Sequence, residues 1–234
     1  MSDLQPRLHD VLLDDPSVTR VVHRRAHGTA PRLLTRATGI ATSVSVVVPT
    51  GGSSGQPFVD GVSAWNTAGL RTEVLVVESA DDPGRAVLRD RLSRSGLSWR
   101  VLERPAGGRV ATLAAVAEAV EQEFLVIPTS GDAPFEQVDP ALCHMWTDGC
   151  DAAMLELRPT GEVDGDPSAQ LAAWLGLHGA AEPGRIVVLR RWVARWLFNE
   201  ITLAIDAGEE VADRARLLGM GIVRLDHERP PTRA

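Results

Sequence analysis

The chain has 234 residues, 44% hydrophobic and 24% charged, the balance of a globular protein with enough apolar material for one large α/β domain. Its net charge of −7 argues against general nucleic-acid binding, which needs a basic footprint. All 24 basic residues are arginine, which excludes lysine nucleophiles, Schiff bases and phosphate-loop lysines.

The N-terminal stretch, Met1 to Asp15, lacks the basic start and apolar middle of a signal peptide. No apolar run approaches the roughly 20 residues that span a bilayer. A cytoplasmic protein is expected. Residues 1–42 read as an extension without a sheet pattern, with Leu8, Val11 and Leu12 spaced for a short amphipathic helix. His23-Arg24-Arg25 and Arg32 to Arg36 make this extension locally basic, either a solvated arm or a contact for a protein partner or membrane surface.

From Ser43 onward, strand and helix patterns alternate. Val44–Val48 is a β-branched run closed by Pro49-Thr50 and the Gly51-Gly52-Ser53-Ser54-Gly55 cluster, as expected of a buried strand delivering a loop. A helix is predicted around Phe58–Ala68. Strand Glu73–Val77 leads into Glu78, Asp81 and Asp82, then a helix over Gly84–Ser95 and a short strand Trp99–Leu102. Gly107-Gly108-Arg109 opens an alanine-rich helix, Val110–Glu121, and strand Phe124–Ile127 ends at Pro128-Thr129-Ser130-Gly131-Asp132.

The second half is less regular. Helices are predicted over Val138–Thr147, Leu171–Leu177 and Glu209–Leu218, and strands over Ala152–Arg158, Arg185–Leu189 and Gly221–Leu225. Trp192, Trp196 and Phe198 fall at helical spacing, where aromatic side chains are more often core than ligand platform. Cys143 and Cys150 read as small buried thiols, and no cysteine–histidine spacing resembles a zinc site. Short strands separated by single helices imply an α/β fold with a mostly parallel central sheet and helices on both faces. Ligands of such sheets bind beyond the carboxyl ends of the strands.

The order of these motifs resembles family 2 glycosyltransferases, the inverting nucleotide-sugar enzymes of GT-A fold, over residues 43–228. Residues 229–234 form a tail. Val44 to Thr50 is similar to the family's opening strand, and Glu78 stands where the second strand's terminal acid contacts the nucleotide. Gly107-Gly108-Arg109 resembles the glycine-rich turn beside the diphosphate. The resemblance implies a three-layer sandwich and a nucleoside-diphosphate-sugar site built from Pro49, Thr50, Glu78, Gly108, Arg109, Ser130 and Asp132.

The metal motif is degenerate. Thr129 and Gly131 occupy the places of the two acids, with Asp132 one residue beyond. A magnesium or manganese ion, if held, would rest on Asp132 and His227. Otherwise Arg109, Arg185 and Arg190 are candidates to stabilise the leaving diphosphate. Gly208-Glu209-Glu210-Val211-Ala212-Asp213-Arg214-Ala215-Arg216 with Gly221 resembles the catalytic Glu-Asp-x-x-Leu-x-x-Arg segment, Asp213 replacing its leucine, and Glu210 takes the place of the general base that deprotonates an acceptor hydroxyl. Transfer to an unidentified hydroxyl acceptor with inversion is the expectation. The alternative is an inactive glycosyltransferase-like scaffold that keeps a nucleotide pocket. A third reading, a nucleotidyltransferase, lacks its usual lysine and activating loop.

Overall fold

A computed structural model describes residues 20–25, 43–49, 58–63, 71–79, 81–82, 84–130, 133, 135–156, 165–178, 183–199 and 207–226. Eight strands are β1 (Arg20–Arg25), β2 (Ser43–Pro49), β3 (Arg71–Glu78), β4 (Ser98–Glu103), β5 (Phe124–Pro128), β6 (Ala152–Glu156), β7 (Arg185–Arg190) and β8 (Gly221–Asp226). The helices are α1 (Arg85–Ser95), α2 (Gly108–Ala119), α3 (Val138–Thr147), α4 (Pro167–Trp174), α5 (Arg191–Phe198) and α6 (Ala207–Leu218), with further helical residues at 58–63.

The strands form one sheet in the order β1-β8-β6-β7-β5-β2-β3-β4. In β2, Val44, Val46, Val47 and Val48 are all at most 2% exposed, so both faces of the strand are covered. That is why its sequence is continuously apolar rather than alternating. Val44, Val46, Val74, Val76, Phe124 and Val126 meet α1, α3 and the helical residues 58–63 on one face. Val47, Leu75, Leu125, Val187 and Leu189 meet α2, α4, α5 and α6 on the other. The result is the expected three-layer α/β sandwich.

Two departures from the sequence reading concern the sheet. Arg20–Arg25 is a strand, paired in parallel with β8 from Arg20↔Gly221 to Arg25↔Asp226. Its charged composition hid it, because an edge strand tolerates arginine and histidine where a central strand does not. The basic residues His23, Arg24 and Arg25 therefore belong to the sheet edge, while Leu8, Val11, Leu12 and Arg32 to Arg36 lie outside the described residues. The second departure is β7, which runs antiparallel to both β5 and β6. Reversal puts its first residue, Arg185, at the carboxyl edge of β5 and β6, and its last, Arg190, at the opposite edge.

Helix α4 starts at Pro167, four residues before its predicted start. Asp166 caps it, its side chain accepting from the Ser168 amide at 3.0 Å, and Pro167 fills the first turn where no amide is needed. The aromatic helix divides differently from expectation. Phe198 is fully buried, but Trp192 and Trp196 are 51% and 40% exposed. Val193, Ala194 and Leu197 take the inward stripe of α5, so two tryptophans four residues apart share the outward one. The two cysteines are free thiols, Cys150 buried and Cys143 half-buried.

Phe135 sets a tight steric limit in the first core layer. Its ring packs edge-on to Phe58 at 5.9 Å, and a Cβ on Gly61 would fall 2.6 Å from its Cδ2. Overpacking typically costs about 1–3 kcal/mol, while alanine gains up to ~1 kcal/mol over glycine in a helix. Gly61→Ala is expected to lose about 1 kcal/mol net by urea denaturation. A more stable variant would show that the Phe135 ring yields without penalty.

Candidate functional site at the carboxyl edge of the sheet

The carboxyl ends of β2, β3, β5, β6 and β8 and the start of β7 share one edge, where the N-termini of α2 and α6 also lie. Pro49 closes β2, opposite Val77 of β3. Thr50, Asp132 and His227 lie outside the described residues.

Glu78 ends β3 and is only 4% exposed. Arg89 of α1 engages both of its carboxylate oxygens: Nε donates to Oε2 at 3.3 Å and the terminal nitrogen to Oε1. The Glu78 carbonyl accepts from the Arg104 amide at 2.8 Å. Asp82 folds the adjoining turn, accepting from the Ser79 amide at 2.8 Å and the Arg104 guanidinium at 3.1 Å. A nucleotide using the Glu78 carboxylate would have to share it with Arg89.

Gly107 and Gly108 have φ of 111° and 75°, a left-handed turn that side chains disfavour and glycine adopts freely. It leads directly into α2, a 12-residue helix whose N-terminus has no side-chain cap. Uncapped amides there, with the helix dipole, favour an anion. Arg109 lies in this first turn and donates through Nε to the Leu175 carbonyl at 3.0 Å. Burial pushes its pKa below the ordinary guanidinium value. Among the described residues it forms no ion pair. The C-terminus of α4 is thereby tied to the start of α2.

After β5, Thr129 and Ser130 serve the reversed strand. The Thr129 amide donates to the Arg185 carbonyl at 2.9 Å, and the Arg185 amide donates to Thr129 Oγ1 at 3.0 Å. The Gly184 amide donates to Ser130 Oγ at 2.7 Å. These hydroxyls close the β5–β7 ladder. A divalent cation prefers carboxylate oxygens, and among the described residues no group of three or more acidic, histidine or cysteine side chains is placed to hold one. Thr129 and Ser130, the described side chains at this strand end, bring hydroxyls and no carboxylate.

Glu210 lies in the first turn of α6, half-buried, with Oε1 accepting from Arg214 at 2.7 Å. Arg214 also donates to the Trp196 carbonyl at 3.1 Å, locking this face of α6 to the end of α5. The other Glu210 oxygen accepts no hydrogen bond among the described residues. Glu209 beside it is exposed. One residue earlier, a Cβ on Gly208 would fall 2.3 Å from the His178 ring, so that imidazole rests directly on the helix start. Residues 175–178 thus run between Arg109 and the Glu209-Glu210 turn.

Arg185 and Arg190, both candidate diphosphate ligands, separate. Arg190 sits at the opposite edge, donating to the Cys150 and Met145 carbonyls at 3.0 and 2.9 Å, with its guanidinium over Trp146. It is excluded from the site by the reversal of β7. Arg185 remains at the site edge but is bound to Glu156 Oε1 through two donors at 2.9 and 2.7 Å. Arg224 donates to the second Glu156 oxygen at 3.2 Å. Both guanidiniums lie over the Trp174 ring, at 4.6 and 5.7 Å from its centroid. Sequence reading missed Glu156, Arg224, Trp174 and His178. Glu156 lay inside the strand expected over Ala152–Arg158, which ends at Glu156 in the structure, and no spacing links it to Arg224, 68 residues on.

No family model matches the chain, and no curated protein matches it. Solved structures do resemble it in fold. Glucosyl-3-phosphoglycerate synthase from Mycobacterium tuberculosis, in complex with phosphoglyceric acid, is similar at 16% identity, with 89% of this chain and 80% of that one covered and a TM-score of 0.54. A mannosyltransferase from Pyrobaculum calidifontis, in complex with GDP-Man and Mn2+, shares 17% identity over 81% of this chain and 57% of its own, with a TM-score of 0.53. A 4-diphosphocytidyl-2C-methyl-D-erythritol synthase from Anaerococcus prevotii shares 11% identity, covers 80% of this chain and 88% of that one, and has a TM-score of 0.52. The chain has the GT-A-like fold common to such nucleotide-sugar glycosyltransferases and related nucleotidyltransferases.

Proposed function

We propose that this chain binds a nucleoside-diphosphate sugar at the carboxyl edge of its sheet and transfers the sugar, with inversion, to a hydroxyl acceptor. The observation that carries this reading is Arg109 on the uncapped start of α2: a half-buried cation without an ion pair among the described residues, behind a left-handed glycine turn. A diphosphate supplies the missing negative charge, taking the α2 amides and the guanidinium together.

Glu210 is the base in this reading. Its second oxygen, which accepts no hydrogen bond among the described residues, takes the acceptor proton while the acceptor oxygen attacks the anomeric carbon, and the nucleoside diphosphate leaves from the opposite face. Charge developing on the leaving group falls to Arg109 and the α2 amides. Asp132 and His227 remain the residues that would complete a cation site. The fold alone does not assign this activity, since one fold hosts many chemistries. The pairing of Glu78 with Arg89 and the use of Thr129 and Ser130 in the sheet favour a second reading, a nucleotide-binding protein without turnover.

Calorimetric titration with uridine and guanosine diphosphates and their sugars, with and without manganese, tests the reading. Binding of any of them is expected, and binding to none overturns it. Manganese-independent binding points to Arg109, and manganese-dependent binding to Asp132 and His227. Arg109→Ala is expected to weaken diphosphate binding by about 10- to 100-fold, the worth of ~1.5–3 kcal/mol for a charged hydrogen bond. Unchanged affinity in that variant removes Arg109 from the site.

A further inference from the structure

We propose that the outward face of α5 is a self-association surface on which two copies of this chain pair, α5 against α5, across a two-fold axis. Trp192 and Trp196 are 51% and 40% exposed on this face, and Leu217 of the adjoining α6 is 77% exposed. Isolated exposed apolar residues are ordinary, but tryptophans one helical turn apart on an amphipathic helix are not. Tryptophan and arginine are the residues that most often anchor interfaces.

The charges around the tryptophans identify the occupant. Arg191 and Arg195 are exposed on α5, and among the described residues their guanidiniums hydrogen-bond carbonyls at and just after the end of α2. Arg191 donates to the Glu121 carbonyl at 2.6 Å, and Arg195 to those of Ala117, Glu118 and Val120 at 3.3, 3.3 and 3.1 Å. Neither forms an ion pair among the described residues. The same is true of the carboxylates of Glu118 and Glu121, which are exposed beside them on and just after α2. Among the described residues, one face therefore carries two cations and two anions outside any ion pair, around two indoles. A two-fold interface brings each residue of a patch against a different residue of its copy, so a patch holding both signs is complementary to itself.

Shape agrees with charge. Between α2 and α5 lies an open cleft of about 430 Å3, lined by Ala114, Ala117, Glu118, Arg195, Phe198 and Asn199. Its floor is apolar and its rim polar, and an indole from a second copy fits that chemistry. A lipid surface is the poorer occupant. Anionic membranes recruit patches of net positive charge; this face is balanced, and the chain as a whole carries −7.

Sedimentation velocity of the full chain from ~1 to ~100 µM tests this independently of any catalytic activity. A reversible dimer is expected. Trp192→Ala with Trp196→Ala should raise the dimer Kd at least ~30-fold, since anchor residues of this kind each matter by about that factor. Glu118→Arg with Glu121→Arg, which makes the patch wholly cationic, should do the same. The two pairs share no residue and alter only exposed side chains, so thermal melts matching wild type separate lost association from lost folding. A wild-type monomer at ~100 µM overturns the proposal, as does wild-type dimerisation in both variants. Co-sedimentation of monomer with phosphatidylcholine–phosphatidylserine vesicles, without dimer, overturns it in favour of a membrane face.

Discussion

Glu210→Gln is expected to lower kcat for sugar transfer by about 10²- to 10⁴-fold, the usual worth of a general base, with donor affinity unchanged. The substitution is nearly isosteric. Its amide oxygen can still accept from Arg214, so the link from α6 to the end of α5, seen at 2.7 Å to Glu210 and 3.1 Å to the Trp196 carbonyl, is kept. What is lost is the oxygen that accepts no hydrogen bond among the described residues and would take the acceptor proton. Steady-state kinetics alongside donor titration separates the cases. Loss of donor binding would mean that Glu210 is structural. Turnover above about a tenth of wild type would remove it from the role of base and turn attention to exposed Glu209, one residue earlier.

The pairing of Glu78 with Arg89 changes how the nucleotide end of the same edge is understood. The resemblance to glycosyltransferases assigned Glu78 to the nucleotide from its place at the end of a strand. The structure adds that the same carboxylate fastens α1 to the sheet. The carboxylate has about four lone-pair sites and Arg89 occupies two, so a base or ribose held by Glu78 either shares it with Arg89 or displaces one of its hydrogen bonds. Arg89 is 45% exposed and can swing into solvent at little cost, which leaves such an exchange open to a ligand.

Where the sequence was legible, burial on both faces wrote it. β2, β3, β5 and β7 are continuous apolar runs because helices cover them above and below. The Gly107-Gly108-Arg109 turn was legible because only glycine is comfortable at those dihedrals. β1 was hidden because Arg20-Val21-Val22-His23-Arg24-Arg25 occupies an edge. The direction of β7 was hidden because a single strand's composition does not encode parallel or antiparallel pairing. That reversal decides the site. It brings Arg185 to the carboxyl edge of the sheet, sends Arg190 away from it, and occupies Thr129 and Ser130 with ladder hydrogen bonds. Trp192 and Trp196 were misplaced because helical spacing fixes which residues share a face but not which face turns inward; the Val193, Ala194 and Leu197 stripe settles that.

Glu156→Gln is expected to cost about 3 kcal/mol of folding stability, the low end of the range for breaking a buried ion pair. Glu156 sits opposite Arg185 across the β6–β7 ladder, and Arg224 is its diagonal neighbour on β8. The three side chains are 8%, 11% and 6% exposed, and Trp174 covers both guanidiniums. One carboxylate therefore holds the ends of three strands at the site edge. Its neutralisation takes away the negative charge that lies between the two buried guanidiniums, and glutamine has one acceptor oxygen where there were two. Removing Arg224 as well, as Glu156→Gln with Arg224→Met, should recover part of the loss, because it takes away one buried charge and its repulsion of Arg185. Urea denaturation of wild type, the single variant and the double variant measures both terms. A double variant less stable than the single one by the full cost of Arg224→Met alone would mean that Glu156 and Arg224 act independently. The ends of β6 and β8 would then be held by their backbone ladder rather than by the shared carboxylate.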